Sequence, residues 1–151
     1  MTNQYRPGAA RPAFKGFTTM KQVLILMLLL LANAIEAQTK RVVDVKDGQA
    51  LEALLGDDML EIDTLVVKGS LKHQEILMMR QCVHIGKLRV IDISGCTVES
   101  NSLPKDAFAY YRVPPRLDSV ALPKTLQAIG ATAFSHTNIT AMEIPPTCKV
   151  I

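Results

Sequence analysis

The sequence predicts a mixed α/β solenoid: a ladder of short parallel strands, a helical cap at its N-terminal side and an open C-terminal end. Three observations predict it. The stretch "LDSVALPKTLQAI" (residues 117–129) returns 22 residues later as "ITAMEIPPTCKVI" (139–151), placing Leu117 on Ile139, Val120 on Met142, Leu122 on Ile144, Pro123 on Pro145 and Ile129 on Ile151. A fixed period of this size marks stacked supersecondary units. The same apolar spacing, at positions 1, 4 and 6, occurs upstream as Leu88, Ile91 and Ile93, and before that as Ile62, Leu65 and Val67. Finally, "LPKDAF" (103–108) aligns with "IGATAF" (129–134), each closing on Ala-Phe.

Taken in chain order, the elements begin with a leader over residues 1–37. Val23 to Ala32 is an apolar run of 10 with Lys21 just before it and small residues after it. That pattern is a secretory signal peptide, too short to span a bilayer, and a retained membrane anchor is the alternative. Cleavage is expected after Ala37, leaving Gln38 first, or else after Ala34. Met20 is a second candidate start, which would make residues 1–19 a mis-assigned extension. Residues 38–87 are expected to form an N-terminal capping module with the first strand. In it, "DGQALEALLGDD" predicts a short helix over residues 49–55, with Asp47 capping its start and Gly56 its end. "SLKHQEILMMRQC" predicts a second helix with Ser70 as N-cap and Leu71, Ile76, Met79 and Val83 lining its inner side. Residues 88–151 are the repeats, the last one incomplete. Each strand has one buried face, and Pro123 and Pro145 end two of them because proline cannot donate to a ladder. The expected sheet stacks Ile62, Leu65 and Val67 with Leu88, Ile91 and Ile93, then with Leu117, Val120 and Leu122, then with Ile139, Met142 and Ile144. The return path "KTLQAIGATAFSHTN" is expected as short strand and turn. Gly130 supplies freedom where the chain changes direction, and Phe134 fills the space between coils.

The pattern L-x-x-V-x-L-P-x-T-L-x-x-I-G-x-x-A-F resembles the BspA-like branch of the leucine-rich repeats, found on bacterial cell surfaces. The match is close over residues 117–151 and looser over 88–108, where "YYRVPPR" (110–116) interrupts it. Residues 49–98 resemble the module that precedes such repeats in Bacteroidetes proteins. The resemblance implies a leucine-rich-repeat solenoid at the cell surface, adhering to host or matrix proteins or to neighbouring bacteria.

The formal charge of +3 belongs to the leader. Four of the 17 basic residues (Arg6, Arg11, Lys15, Lys21) and one of the 14 acids (Glu36) lie in residues 1–37, so 13 of each sign remain. A nucleic-acid partner needs a surplus of cations to displace counterions from phosphates, and none remains; Lys40-Arg41 reads as a solvated doublet. With no Trp and 5% aromatic residues, Leu, Ile and Val must fill the core.

Candidate chemistry is sparse. Cys82, Cys96 and Cys148 are an odd number for an exported chain, so at least one thiol stays unpaired or pairs between chains. All three are expected in the core, with a Cys82–Cys96 bridge as the alternative. Cys82-x-His84 offers two ligands where zinc needs three or four, and His73 and His136 stand apart. Asp57, Asp58 and Asp63 read as solvated loop acids. Ser94-Gly95-Cys96 lacks the flanks of a nucleophile elbow. Asn138-Ile-Thr is a glycosylation sequon on paper, and the Asp63 and Asp118 triplets resemble O-glycosylation sites. No catalytic residue, cofactor or metal is expected.

The expected function is that of a secreted or cell-surface interaction protein without enzymatic activity. Its outward strand positions Asp118, Ser119, Ala121, Thr140, Ala141 and Glu143 would meet a protein ligand, and the last strand would invite self-association. The alternatives are the non-catalytic leading part of a larger secreted enzyme, or a truncated product with no role of its own.

Overall fold

Alternating apolar residues bury one face of an extended chain, and a parallel partner then stacks like side chains at one depth. This is what the central sequence does. The structure, a computed structural model, describes Met20 and residues 38–112 and 115–150. The leader expected over residues 1–37 therefore lies, Met20 apart, outside the described residues, as does Ile151.

Residues from Gln38 onward form one compact unit of mixed α/β structure. Its main sheet is wholly parallel, in the order β1 (Lys40–Val45), β2 (Thr64–Leu71), β3 (Val90–Val98), β5 (Ser119–Ala121). Leu65 pairs with Ile91 and Ile91 with Val120, the expected steps of 26 and 29 residues. All three side chains are buried, with Ile62, Leu88 and Leu117 buried just ahead of their strands. The register slips by one residue after Val66, so Lys68 meets Gly95. A bulge of this kind bends a strand and deepens its twist. Two short helices follow the first two strands, α1 (Leu51–Leu55) and α2 (His73–Ile85), and α2 turns Ile76, Met79, Cys82 and Val83 inward.

A second, two-stranded parallel sheet pairs β4 (Ser102–Leu103) with β6 (Ala128–Ile129). Leu103 sits on Ile129, the landmark step of 26 residues. The stacking continues through the turns, where the N–H groups of Asp106, Phe108 and Tyr110 donate to the carbonyls of Ala131, Ala133 and Ser135 at 2.7–3.0 Å. Fully buried Phe108 stacks on Phe134 with ring centroids 5.7 Å apart.

Several expectations need correction. β1 is an addition to the expected strands: it carries only Val43 and Val45 toward the core, too few to show the 1-4-6 pattern. Ser70 does not cap α2. It lies in β2 opposite Thr97, and Leu71 lies opposite Val98. The helix instead begins at His73, where Glu75 accepts from the Lys72 N–H at 2.7 Å and Glu99 from the His73 N–H at 3.0 Å. Asp47 does not cap α1 either, since the residue before that helix is Ala50 and no side chain bonds there. Gly56 does end α1, at φ 65°, with its N–H on the Glu52 carbonyl.

The fourth strand expected over residues 139–144 is absent. Among the described residues the start of the segment is tied by one backbone bond, from the Asn138 N–H to the Leu117 carbonyl ahead of β5, and Ile144 is 38% exposed. This copy attaches at its other end, where Val150 bridges Ala128 and the Lys149 N–H donates to Gln127. Thr147 Oγ1 also donates to the carbonyls of Lys124 and Leu126, both at 2.7 Å. Gly130 proves necessary for a different reason from the expected one. A Cβ there would lie 2.5 Å from the backbone of Pro104 and Lys105, so the residue permits close approach of two coils rather than a left-handed turn.

Candidate interaction surface

The surface expected to carry function divides into unequal parts. Ser119 and Ala121 are exposed on the outer face of β5, beside Val90 and Asp92 of β3. Thr140, Ala141 and Glu143 are exposed too, on the extended segment that joins no sheet. Asp118 differs. It is partly buried; one carboxylate oxygen accepts from Arg89 Nε at 2.8 Å and the other from Asn138 Nδ2 at 2.8 Å. Asp118 therefore ties Arg89, just ahead of β3, to Asn138, and its acceptors are already occupied by these neighbours.

The outer face continues across the earlier strands. In register it presents Lys40, Thr64, Val90 and Ser119 in one row and Val42, Val66, Asp92 and Ala121 in the next. The rows belonging to β1 and β2 lie outside the expected face. The alternation in "KRVVDV" is the signal for the β1 row, masked when Lys40-Arg41 is read as a solvated doublet.

Two concavities border this scaffold. A groove of about 570 Å³ runs between α1 and α2, lined by Glu52, Met59, Lys72, Met78, Cys82 and Ile85 among others. A shallow dish of about 740 Å³ lies at the C-terminal ends of β1–β3, lined by Asp44, Lys46, Asp47, Ser70, Ser94 and Thr97 among others. Neither concavity gathers reactive groups. The Cys82 thiol donates to Met78 Sδ at 3.7 Å, and burial pushes its pKa up. The Cys96 thiol donates to the Val67 carbonyl, and burial, followed by the charges of Asp92, Asp44 and Glu75, pushes it up to about 12. Both stay protonated at neutral pH, and the thiolate is the nucleophilic form. All three cysteines are free, so the Cys82–Cys96 bridge is not formed; Cys148 is half-buried rather than in the core.

The histidines are separated as expected. His73 Nε2–H donates to the Ser102 carbonyl at 2.9 Å. His84 Nε2–H donates to Ala109 at 2.8 Å and meets Tyr110 edge-on at 5.0 Å. His136 packs against Tyr111 at 5.5 Å. Among the described residues no three His, Cys, Asp or Glu side chains are grouped to hold a metal. Asp57 and Asp58 are exposed, while Asp63 is partly buried and accepts from Thr64 Oγ1 at 2.7 Å. Among the described residues no helix is long and apolar enough to cross a membrane.

What remains as a surface with chemical character is the outer face of the parallel sheet. No family model matches the chain, and no curated protein or solved structure matches it.

Proposed function

We propose that the chain is an exported leucine-rich-repeat solenoid of the BspA-like kind and that it works by binding a protein ligand outside the cell, without catalysis of its own. The observation that carries this reading is the continuous parallel register: Leu65, Ile91 and Val120 in one sheet, Leu103 and Ile129 in the other, with turn-to-turn bonds between. Repeats stacked this way give an extended regular face whose outward positions are free to vary without touching the core. On this chain those positions are Ser119 and Ala121, continued by Thr140, Ala141 and Glu143. The rows carry valines beside polar residues and no aromatic side chain, which suits an interface with few aromatic anchors.

The test has two arms. Fractionation of producing cells should place a mature form beginning at Gln38 or Ile35 outside the inner membrane. That form, passed over immobilised purified extracellular-matrix proteins, should bind at least one of them. Ser119→Arg and Ala121→Arg should weaken binding about tenfold while circular dichroism stays unchanged. Retention of an intact leader, or binding indifferent to both substitutions, would sink the proposal.

A further inference from the structure

The open edge of β1 is complementary to itself. The Thr39 carbonyl accepts from the N–H groups of Asp63 and of Thr64, the first residue of β2. With a period of two, the backbone groups of Arg41, Val43 and Val45 also face β2, and those of Lys40, Val42 and Asp44 face the opposite edge. Among the described residues no strand pairs there, because β1 is the end of its sheet. The same three residues carry their side chains on the outer face, where all are exposed and Val42 is 56% so. Neither Lys40 nor Asp44 has an ion-pair partner among the described residues. An edge strand of this length without proline or bulge is a template for another chain.

We propose that two copies of this chain pair β1 to β1, antiparallel, about a two-fold axis through Val42. In that register Val42 meets the second Val42, Lys40 meets Asp44 of the second copy, and Asp44 meets its Lys40. All are hydrogen-bonded pairs, because these are the residues whose N–H and C=O face the edge. Opposite charges directly across a pair stabilise it, and like charges oppose it. A two-fold contact is self-complementary and closes, so it yields a dimer and not a fibre. A parallel pairing of the same two edges shifts the register by one residue, so Lys40 would lie beside Thr39 or Arg41 and Asp44 beside Val43 or Val45, and neither charge would meet its opposite. Charge therefore selects the antiparallel dimer. Its sheet would run through eight strands, and the contact is small, so dissociation falls in the micromolar range.

The test is sedimentation equilibrium on the full chain, with circular dichroism as the folding control. The unchanged chain should dimerise. Lys40→Asp sets two carboxylates against each other in both outer pairs and should weaken the dimer about tenfold. Asp44→Lys sets two ammonium groups against each other at the same places and should weaken it equally. An equimolar mixture of the two variants restores both opposite-charge pairs, so it should form a heterodimer of near-original affinity. The double variant carrying both changes should recover as well. A monomer at all concentrations overturns the proposal, as does a dimer that ignores either single change. Failure of both the mixture and the double variant to recover overturns it too.

Discussion

The two halves of the stack solve the same problem by different means. Between β1 and β3 the coils are joined by long ladders of six to nine residues per strand, with α1 and α2 packed alongside. Beyond residue 117 the strands shrink to three and two residues, and among the described residues the last copy keeps a single bridge. Side chains take over there. Asp118 links Arg89 and Asn138, Asp106 accepts from Thr132 and Tyr111, and Thr147 reaches two carbonyls. A repeated apolar pattern thus sets the spacing of coils. It does not by itself set ladder formation, since residues 139–144 contain no proline and still join no strand among the described residues.

The comparison is sharpened most by removing its shared plug. Phe108→Ala deletes a fully buried ring that stacks on Phe134, and the loss should be about 3–5 kcal/mol in urea unfolding. Ile144→Ala, in the segment without a ladder, should cost under about 1 kcal/mol. Equal losses would show that the last copy is as well packed as the first.

Alkaline pH should strike the first half. Cys82 and Cys96 both have folded pKa values above the ordinary 9.0, so each contributes stability that is fully present below pH 9 and is lost as pH rises through the folded value, about 12 for Cys96. Between pH 9 and that value the slope should approach about 1.4 kcal/mol per pH unit for Cys96, and Cys96→Ala should flatten it. At pH 8, half-buried Cys148 should react with iodoacetamide well ahead of the other two, which mass spectrometry can follow.

Next in size is Gly130→Ala, which forces a Cβ against Pro104 and should cost about 1–3 kcal/mol. An unchanged midpoint would mean that the coils are not held at the observed distance. The smallest effect expected is at Asp118. Its Arg89 partner is more than half exposed, so Asp118→Ala should cost no more than about 1 kcal/mol, with the clearest signal in faster hydrogen exchange at the Asn138 amide.

The step between paired strands was legible in the sequence because it rests on side chains that must be apolar, such as Leu65, Ile91, Val120, Leu103 and Ile129. The 26-residue landmark was legible to the residue, since Ala107-Phe108 and Ala133-Phe134 fill equivalent places. Boundaries were less legible. Ser70 reads as a helix cap, yet β2 runs through it and through Gly69 at φ 95°, where a Cβ would strike the Val45 carbonyl. That reason is tertiary and leaves no local trace. The candidate face was legible as alternation at Ser119 and Ala121. The role of Asp118 was not, because Arg89 and Asn138 lie 29 and 20 residues away from it.

One contact made by α2 bears on how the chain reaches this structure. Arg80 Nη1 donates to the Asp106 carbonyl at 2.9 Å and His84 Nε2–H to that of Ala109, so a helix supplies to the first turn what each later turn receives from its neighbour. The helix is a template on which residues 106–109 can settle before residues 131–135 are in place. Assembly should then nucleate at α2 and propagate toward the C-terminus. Kinetic φ-values should be high for Val83→Ala and near zero for Ile129→Val, and the reverse order would place the nucleus in the repeats.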